Sequence, residues 1–328
     1  MRVISAEAVA DLLEFESLLP AVADALRAGG RGEVERPERP HFPIGERSVS
    51  PEGGDPSSEP RGTGLVMPAY IHGSPYYATK IVGVVDDNPK RGLPTVNAAI
   101  AVTDARTGVP VAYLAGTRIT NARTGCIGGL AARELAAEGP IELGVIGAGQ
   151  QARWQTRAID AATELDAVRV YSPSESRTEC AADLRNEGID CEAVDSPAEA
   201  VRDASVVVTA TTATAPVLDG DDLADGTLVI AVGAFSAETR ELDDRTVERA
   251  DALFADVPEE AAETGDFPNH GPEALTPFAA VLEKDAGRSY DDEIIVVASV
   301  GTAILDAAAA ELVYETAVDG DIGLETTL

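Results

Sequence analysis

The sequence predicts an α/β chain in which a doubly wound parallel sheet follows a smaller α+β domain, and a C-terminal helix crosses back to complete that first domain. Three observations carry this. From residue 141 onward, short apolar strands at 141–146, 167–171, 205–210 and 227–232 alternate with helical stretches, two of which end near 162 and 187. Before that point, runs at 76–85, 95–103 and 109–114 read as antiparallel strands, the last two joined by the turn Asp104-Ala-Arg-Thr-Gly108. A chain of 328 residues also exceeds the usual single-domain size, so two cores are expected.

Taken in order, residues 5–27 place apolar side chains at helical spacing and stop at Gly29-Gly30, which predicts one or two amphipathic helices packed on a sheet. The Pro, Gly, Ser and Glu of 45–64 predict an exposed loop without chemistry. Residues 120–137 read as a connecting helix that ends before Gly139-Pro140. A strand at 294–298 and a helix at 302–317 close the chain. The expected domains are therefore 1–117 with 303–328, and 118–302. No internal repeat is visible.

Composition narrows the function classes. A formal net charge of −32 repels nucleic acid and anionic lipid, so neither is expected as a partner. No window approaches the roughly 20 uninterrupted apolar residues that span a bilayer, and the amino terminus lacks a basic region followed by an apolar one; a soluble, cytoplasmic protein is expected. Cys126, Cys180 and Cys191 are an odd set without metal-ligand spacing and read as reduced thiols. His41, His72 and His270 do not cluster, so they read as rim or surface residues and no metal site is expected. Lys80, Lys90 and Lys284 are the only lysines. So acidic a surface predicts adaptation to a high-salt cytoplasm, the plainer alternative being simply an acidic protein.

The chemistry begins at Leu143-Gly-Val-Ile-Gly147-Ala148-Gly149-Gln150-Gln151-Ala152, which supplies a strand, a Gly-x-Gly-x-x-Ala turn and a helix start in that order. Gly147 suits the tight turn, Gly149 lets the backbone approach a pyrophosphate, and Ala152 permits close helix packing. The helix N-terminus would then face the phosphates. A Gly-rich turn alone can be structural; the order of elements makes this one the fingerprint of a Rossmann domain binding NAD(P) through Gly147, Ala148, Gly149, Gln150 and Gln151. At the end of the next strand, where an acid normally holds the ribose 2'-hydroxyl of NAD, the chain reads Ser172-Pro-Ser174-Glu-Ser-Arg177. Hydroxyls beside a guanidinium suit a 2'-phosphate, so NADP(H) is favoured over NAD(H) through Ser172 and Arg177, with Arg177 as a solvated helix charge the alternative.

Set beside this fingerprint, Arg36-Pro-Glu-Arg39, Met67-Pro-Ala-Tyr70, Ala78-Thr-Lys80, Asn88-Pro-Lys-Arg-Gly-Leu-Pro-Thr95, the 104–108 turn, Thr120-Asn-Ala-Arg123-Thr124-Gly, Thr209-Ala-Thr211-Thr, Arg240-Glu-Leu242 and Ser299-Val300-Gly301 resemble the ornithine cyclodeaminase/mu-crystallin family along nearly the whole chain. The resemblance implies that the first domain dimerises through its sheet into a homodimer and that substrate binds between the domains. It makes Arg39, Lys80 and Arg123 the cations that hold a substrate carboxylate, with Thr95 beside them and Arg36 as the alternative to Arg39. Thr124, Thr211, Ser299, Val300 and Gly301 would border the nicotinamide and phosphates.

Residue chemistry supports part of this independently. Lys80 stands in an otherwise apolar strand, where a charge must be paired or functional unless its head reaches water at a strand edge. Arg123, at a helix start, offers the natural fork for a carboxylate, with a surface ion pair as its alternative. Lys80 is also the candidate proton relay.

One departure stands out. Cyclodeaminating members of the family, and the archaeal alanine dehydrogenases that resemble them, carry a catalytic Asp after the Gly pair of the nucleotide domain, and here Gly233-Ala-Phe235 puts an aromatic at that place. Phenylalanine cannot accept a proton or orient a water. The resemblance therefore points to ketimine reductase-like members: NAD(P)H-dependent reduction of a small imino acid, or oxidation of the corresponding amino acid. The alternatives are an ornithine cyclodeaminase or alanine dehydrogenase, and a non-catalytic NADP(H)/small-ligand binding protein of mu-crystallin type.

Overall fold

The computed structural model describes residues 1–45, 60–85 and 87–327. The chain divides into two compact units, one made of Met1–Glu14, Glu33–Thr120 and Ala303–Leu328, the other of Phe15–Gly32 and Asn121–Thr302. It opens with β1 (Arg2–Ile4), α1 (Ala6–Leu12), α2 (Phe15–Gly30), β2 (Val34–Glu35), β3 (His41–Ile44), β4 (Gly62–Ile71), β5 (Tyr76–Val84), β6 (Val96–Asp104), β7 (Pro110–Ala115) and α3 (Gly116–Leu135). Then follow β8 (Ile141–Ile146), α4 (Gln150–Ala162), β9 (Leu165–Tyr171), α5 (Ser176–Asn186), β10 (Cys191–Ala193), α6 (Pro197–Val201), β11 (Val206–Thr209) and β12 (Leu228–Ala231). Last come α7 (Asp244–Arg249), β13 (Ala252–Ala255), α8 (Pro258–Ala261), β14 (Thr276–Pro277), α9 (Phe278–Leu282), β15 (Ile295–Ala298), α10 (Ala303–Asp319) and β16 (Leu324–Glu325).

In the first unit the strands run β16-β1-β7-β6-β5-β4-β2, with β3 also on β4; β4 to β7 are antiparallel and β1 lies parallel to β7. Period-two alternation sets the faces of β5: Ala78, Lys80 and Val82 are buried on the side where α10 packs, while Tyr77 and Ile81 point to the other side. The Ala-rich start of α10 lets that helix lie close against the sheet. Between β6 and β7, Asp104 accepts the N–H groups of Arg106 and Thr107 and the Thr107 hydroxyl, which closes the turn and lowers the Asp104 pKa.

The second unit is a parallel sheet in the order β10-β9-β8-β11-β12-β15-β13-β14. Its central strands read LGV, VVV, LVI and IVV and are buried on both faces, as a sheet covered by helices requires. The chain runs outward from β8 through β9 to β10 and then crosses back to β11 on the other side of β8, so the carboxyl ends of these strands form a topological switch point.

Three local expectations need correction. The helical stretch 5–27 splits: α1 packs on β7 and α10, but α2 belongs to the second unit. There Phe15 meets Trp154 edge-on with ring centroids 6.0 Å apart, Arg27 donates to the Leu282 carbonyl, and Arg31 pairs with Glu283. Of the expected loop at 45–64, residues 46–59 lie outside the described residues, and from Gly62 the chain is strand β4. Pro68 disguised that strand in the sequence; β3 pairs with β4 only through Leu65 and β2 only from Tyr70, so the missing proline N–H falls in the gap between them. Finally, α3 begins at Gly116, which places Arg123 in the body of the helix and not at its start.

Candidate active site

At the end of β8, Gly147 has φ +111°, and a Cβ there would collide with the Ala210 carbonyl, so only glycine can make this turn. Its N–H donates to the Tyr171 carbonyl at 2.9 Å and ties the turn to the end of β9. Gly149 differs, because a Cβ on it would meet no protein atom within 4 Å. Nothing in the chain itself demands glycine there; the approach of a ligand backbone or phosphate would. Gly149 is the N-cap of α4 and supplies no capping side chain, which leaves the first turn's N–H groups to an anion or to solvent. Ala152 is fully buried, Ala148 nearly so, Gln150 is exposed, and Gln151 donates to the Asn121 side chain at 3.1 Å. Arg153 braces the turn by donating to the carbonyls of Ala148 and Gly149 while pairing with Asp183. These residues fit a dinucleotide pyrophosphate.

Beside this turn the carboxyl edge of the sheet is organised by buried acids that sequence reasoning left without a role. Glu241 accepts four hydrogen bonds: the Thr209 hydroxyl, the Thr211 N–H and hydroxyl, and the Gly233 N–H. Asp266 in turn accepts the N–H groups of Glu241 and Leu242. Asp256 accepts the Ser299 hydroxyl at 2.8 Å and the N–H groups of Val300 and Gly301 at 3.0 and 2.9 Å. Burial pushes the pKa of all three acids up, while these hydrogen bonds oppose it. The polar groups of Thr211 and of Ser299, Val300 and Gly301 are thus turned toward carboxylates, so they shape the edge more directly than they could grip a ligand.

Phe235 lies on the loop after β12 with 53% of its surface exposed. Thr239 Oγ1 holds that loop by accepting the N–H groups of Phe235 and Ser236. Of the loop's own acids, Glu238 is exposed and Glu241 is engaged as described.

At the end of β9, the hydroxyls of Ser172 and Ser174 each hydrogen-bond that of Ser176, and Arg177 donates to the carbonyls of Ser172 and Ser174. Arg177 also meets Asp195, whose side chain is largely exposed, a pair of the kind worth about 0–1 kcal/mol.

The cations divide between the units. In the first, Lys80 on β5 is 2% exposed, and its Nζ donates to Asp306 Oδ2 at 2.6 Å; the Thr120 hydroxyl donates to Asp306 Oδ1 at 3.4 Å. A lysine with its head in water is ruled out by that burial. Thr95 is half-buried just before β6 and takes the Val85 N–H on its carbonyl. Arg36 and Arg39 are both half-buried between β2 and β3, and burial does not choose between them. In the second unit Arg123 is 4% exposed, too buried for a surface ion pair. Gly301, at φ +74°, presses against its guanidinium: a Cβ would come within 2.8 Å of Nη1. Asp256 feels the Arg123 charge. Thr124 passes its carbonyl to Gln155 Nε2.

Asp306 is the functional candidate the sequence reading missed. Its signal was present, since it stands alone in the apolar run Ala303–Ala310 as Lys80 does in β5. The three cysteines are buried thiols, with burial pushing Cys191 up to about 12. Among the described residues no group of three or more His, Cys, Asp or Glu could hold a metal ion, and no helix is long and apolar enough to cross a membrane.

Comparison with known proteins gives a consistent result. The ornithine cyclodeaminase/mu-crystallin family model matches residues 2–321. A delta(1)-pyrroline-2-carboxylate reductase of Bacillus cereus is 33% identical over 290 residues, covering 85% of this chain and 89% of that one. The solved delta(1)-pyrroline-2-carboxylate reductase of Thermococcus litoralis, in complex with NADH and L-proline, gives a TM-score of 0.90 at 30% identity over 99% of this chain and all of its own. An archaeal alanine dehydrogenase dimer with bound NAD gives 0.88 at 28% identity, over 100% of this chain and 99% of its own.

Proposed function

Because the chain belongs to the ornithine cyclodeaminase/mu-crystallin family, we propose that it is an NAD(P)H-dependent reductase of a small cyclic imino acid of the pyrroline-2-carboxylate type. The observation that carries this reading is the turn at Gly147 to Ala152, where Gly149 answers no need of the chain's own packing. A bound dinucleotide supplies the hydride for the substrate's imine carbon. The chain's residues do the rest: Lys80, Arg123 and Arg39 hold the carboxylate so that the imine carbon faces the nicotinamide, and Lys80 delivers a proton to the imine nitrogen. Reduction thus turns the C=N bond into CH–NH. Phe235 favours reduction over cyclodeamination because it gives its loop an apolar surface in place of a carboxylate.

The finer parts of the reading have separate supports. NADP(H) is preferred through the serine hydroxyls and guanidinium of Ser172, Ser174, Ser176 and Arg177. A homodimer forms over the sheet face of the first unit that exposes Tyr77, Ile81 and Tyr113. The excess of acidic side chains suits a protein that works in high salt.

The test is cofactor oxidation at high salt with pyrroline-2-carboxylate, piperideine-2-carboxylate, and pyruvate with ammonia, alongside an ammonia assay with ornithine. Turnover with a cyclic imine and no ammonia from ornithine is the expected result. Tight NADPH binding without turnover on any imine would instead make this a binding protein.

A further inference from the structure

We infer that Asp306 is a positioning residue of the active site, which fixes the Lys80 ammonium in the direction that the reaction uses and is itself fixed by Thr120. The inference rests on the proposed role of Lys80 and deepens it.

The sequence gives the first reason. α10 begins Ala-Ile-Leu-Asp-Ala-Ala-Ala-Ala, and the buried face of β5 runs Ala78, Lys80, Val82, so one acid and one base stand alone in surfaces otherwise built to exclude water. The register places Lys80 opposite Met67 on β4 and Ile100 on β6, both buried and apolar. Among α10's other acids, Glu311 is more than a turn further on and is bonded by Ser74. Asp306 is therefore the carboxylate that meets the ammonium, at 2.6 Å, with both side chains 2% exposed.

Energetics gives the second. A buried ion pair contributes little to stability, because desolvation of two charges offsets their attraction, and well-packed apolar residues of similar volume often serve a fold as well. A core that needed only to fill this space would do so with Met and Leu. A lysine stem of four carbons, by contrast, has many rotamers, and an ammonium that must meet a substrate at a set angle gains from a fixed partner. Asp306 Oδ2 takes one of the three Nζ donors and so sets the directions of the others. The Thr120 hydroxyl on Oδ1 keeps the carboxylate from rotating.

The test uses the full chain and compares K80M, D306N, T120V and the double variant K80M/D306L in imine reduction, dinucleotide Kd and Tm. D306N is expected to lose about 10- to 100-fold in kcat/KM, mostly in kcat, as misplacement of a reacting group does. Its dinucleotide Kd should stay within about twofold of wild type, because the substitution lies in the first unit and the nucleotide turn in the second. K80M/D306L should regain wild-type Tm with no more activity than K80M. A D306N protein with wild-type kcat/KM, beside an inactive K80M, overturns the inference and leaves the proposed function standing. An active K80M overturns the function itself. Should D306N not fold, T120V decides: a fall of about threefold or more in kcat supports positioning, and an unchanged kcat refutes it.

Discussion

Both units bury carboxylates, but they satisfy them differently. In the second, Glu241, Asp256 and Asp266 are held largely by main-chain N–H groups, from Thr211, Gly233, Glu241, Leu242, Val300 and Gly301. In the first, Asp306 takes the ammonium of Lys80 and the hydroxyl of Thr120, both side-chain groups. An acid bonded to the main chain freezes the path of a loop, which is what a cofactor recognised through backbone requires. An acid bonded to a flexible cation instead aims a charge, which suits a substrate recognised through its carboxylate. The same residue type thus does architecture in one unit and electrostatics in the other.

The strongest way to break that contrast is to add one methyl group to each glycine of the nucleotide turn. Gly147→Ala meets the Ala210 carbonyl at a φ of +111° and should destabilise the protein even without cofactor, by about 1–3 kcal/mol. Gly149→Ala meets no protein atom, so its cofactor-free Tm should stay close to wild type while dinucleotide Kd weakens by about tenfold or more, or ~1.4 kcal/mol. Calorimetric binding with thermal melts separates the two. If Gly149→Ala binds as tightly as wild type, the turn is only a strand-to-helix connection.

This difference between the units also explains what the sequence made legible. The nucleotide turn could be read residue by residue because its requirements are backbone requirements, and Gly147 and Ala152 are the few residue types that meet them. Lys80 could be read because a lone charge in an apolar strand needs a partner, although the partner lay 226 residues away on α10, beyond the reach of any local pattern. Glu241 was visible within its motif, yet its role was not, since an acid that accepts four hydrogen bonds from two separate segments, 209–211 and Gly233, leaves no periodic trace. Strand β4 was hidden by Pro68, and the allegiance of α2 by the fact that amphipathicity tells a helix to bury one face without saying against what.

A middle-sized effect sharpens the cofactor side. If Arg177 faces a 2'-phosphate, Arg177→Ala should raise KM for NADPH about tenfold and leave KM for NADH unchanged. The guanidinium also ties the carbonyls of Ser172 and Ser174 together. Were that its whole purpose, both cofactors would suffer equally, and steady-state kinetics with each would reveal it.

The smallest expected effect concerns proton uptake. Burial raises the pKa of Glu241, Asp256 and Asp266 in the folded chain, so between the ordinary carboxylate range and those raised values the folded state binds more protons than the unfolded one. Their contribution to stability is then largest below the unfolded pKa, about 4, and is lost as pH rises through the folded values. The net charge of −32 acts in the same direction, because protonation relieves its self-repulsion. Salt separates the two sources: at 0.1 M, exposed charges more than about 10 Å apart are largely screened from one another, whereas buried groups are screened much less. Melts at about pH 5.5 and about pH 8 should therefore differ by a few degrees, with the acidic sample the more stable, and part of that difference should survive at molar salt. A difference that disappears entirely in high salt would assign the whole effect to the surface and leave the buried acids ionised without cost, held by their main-chain donors.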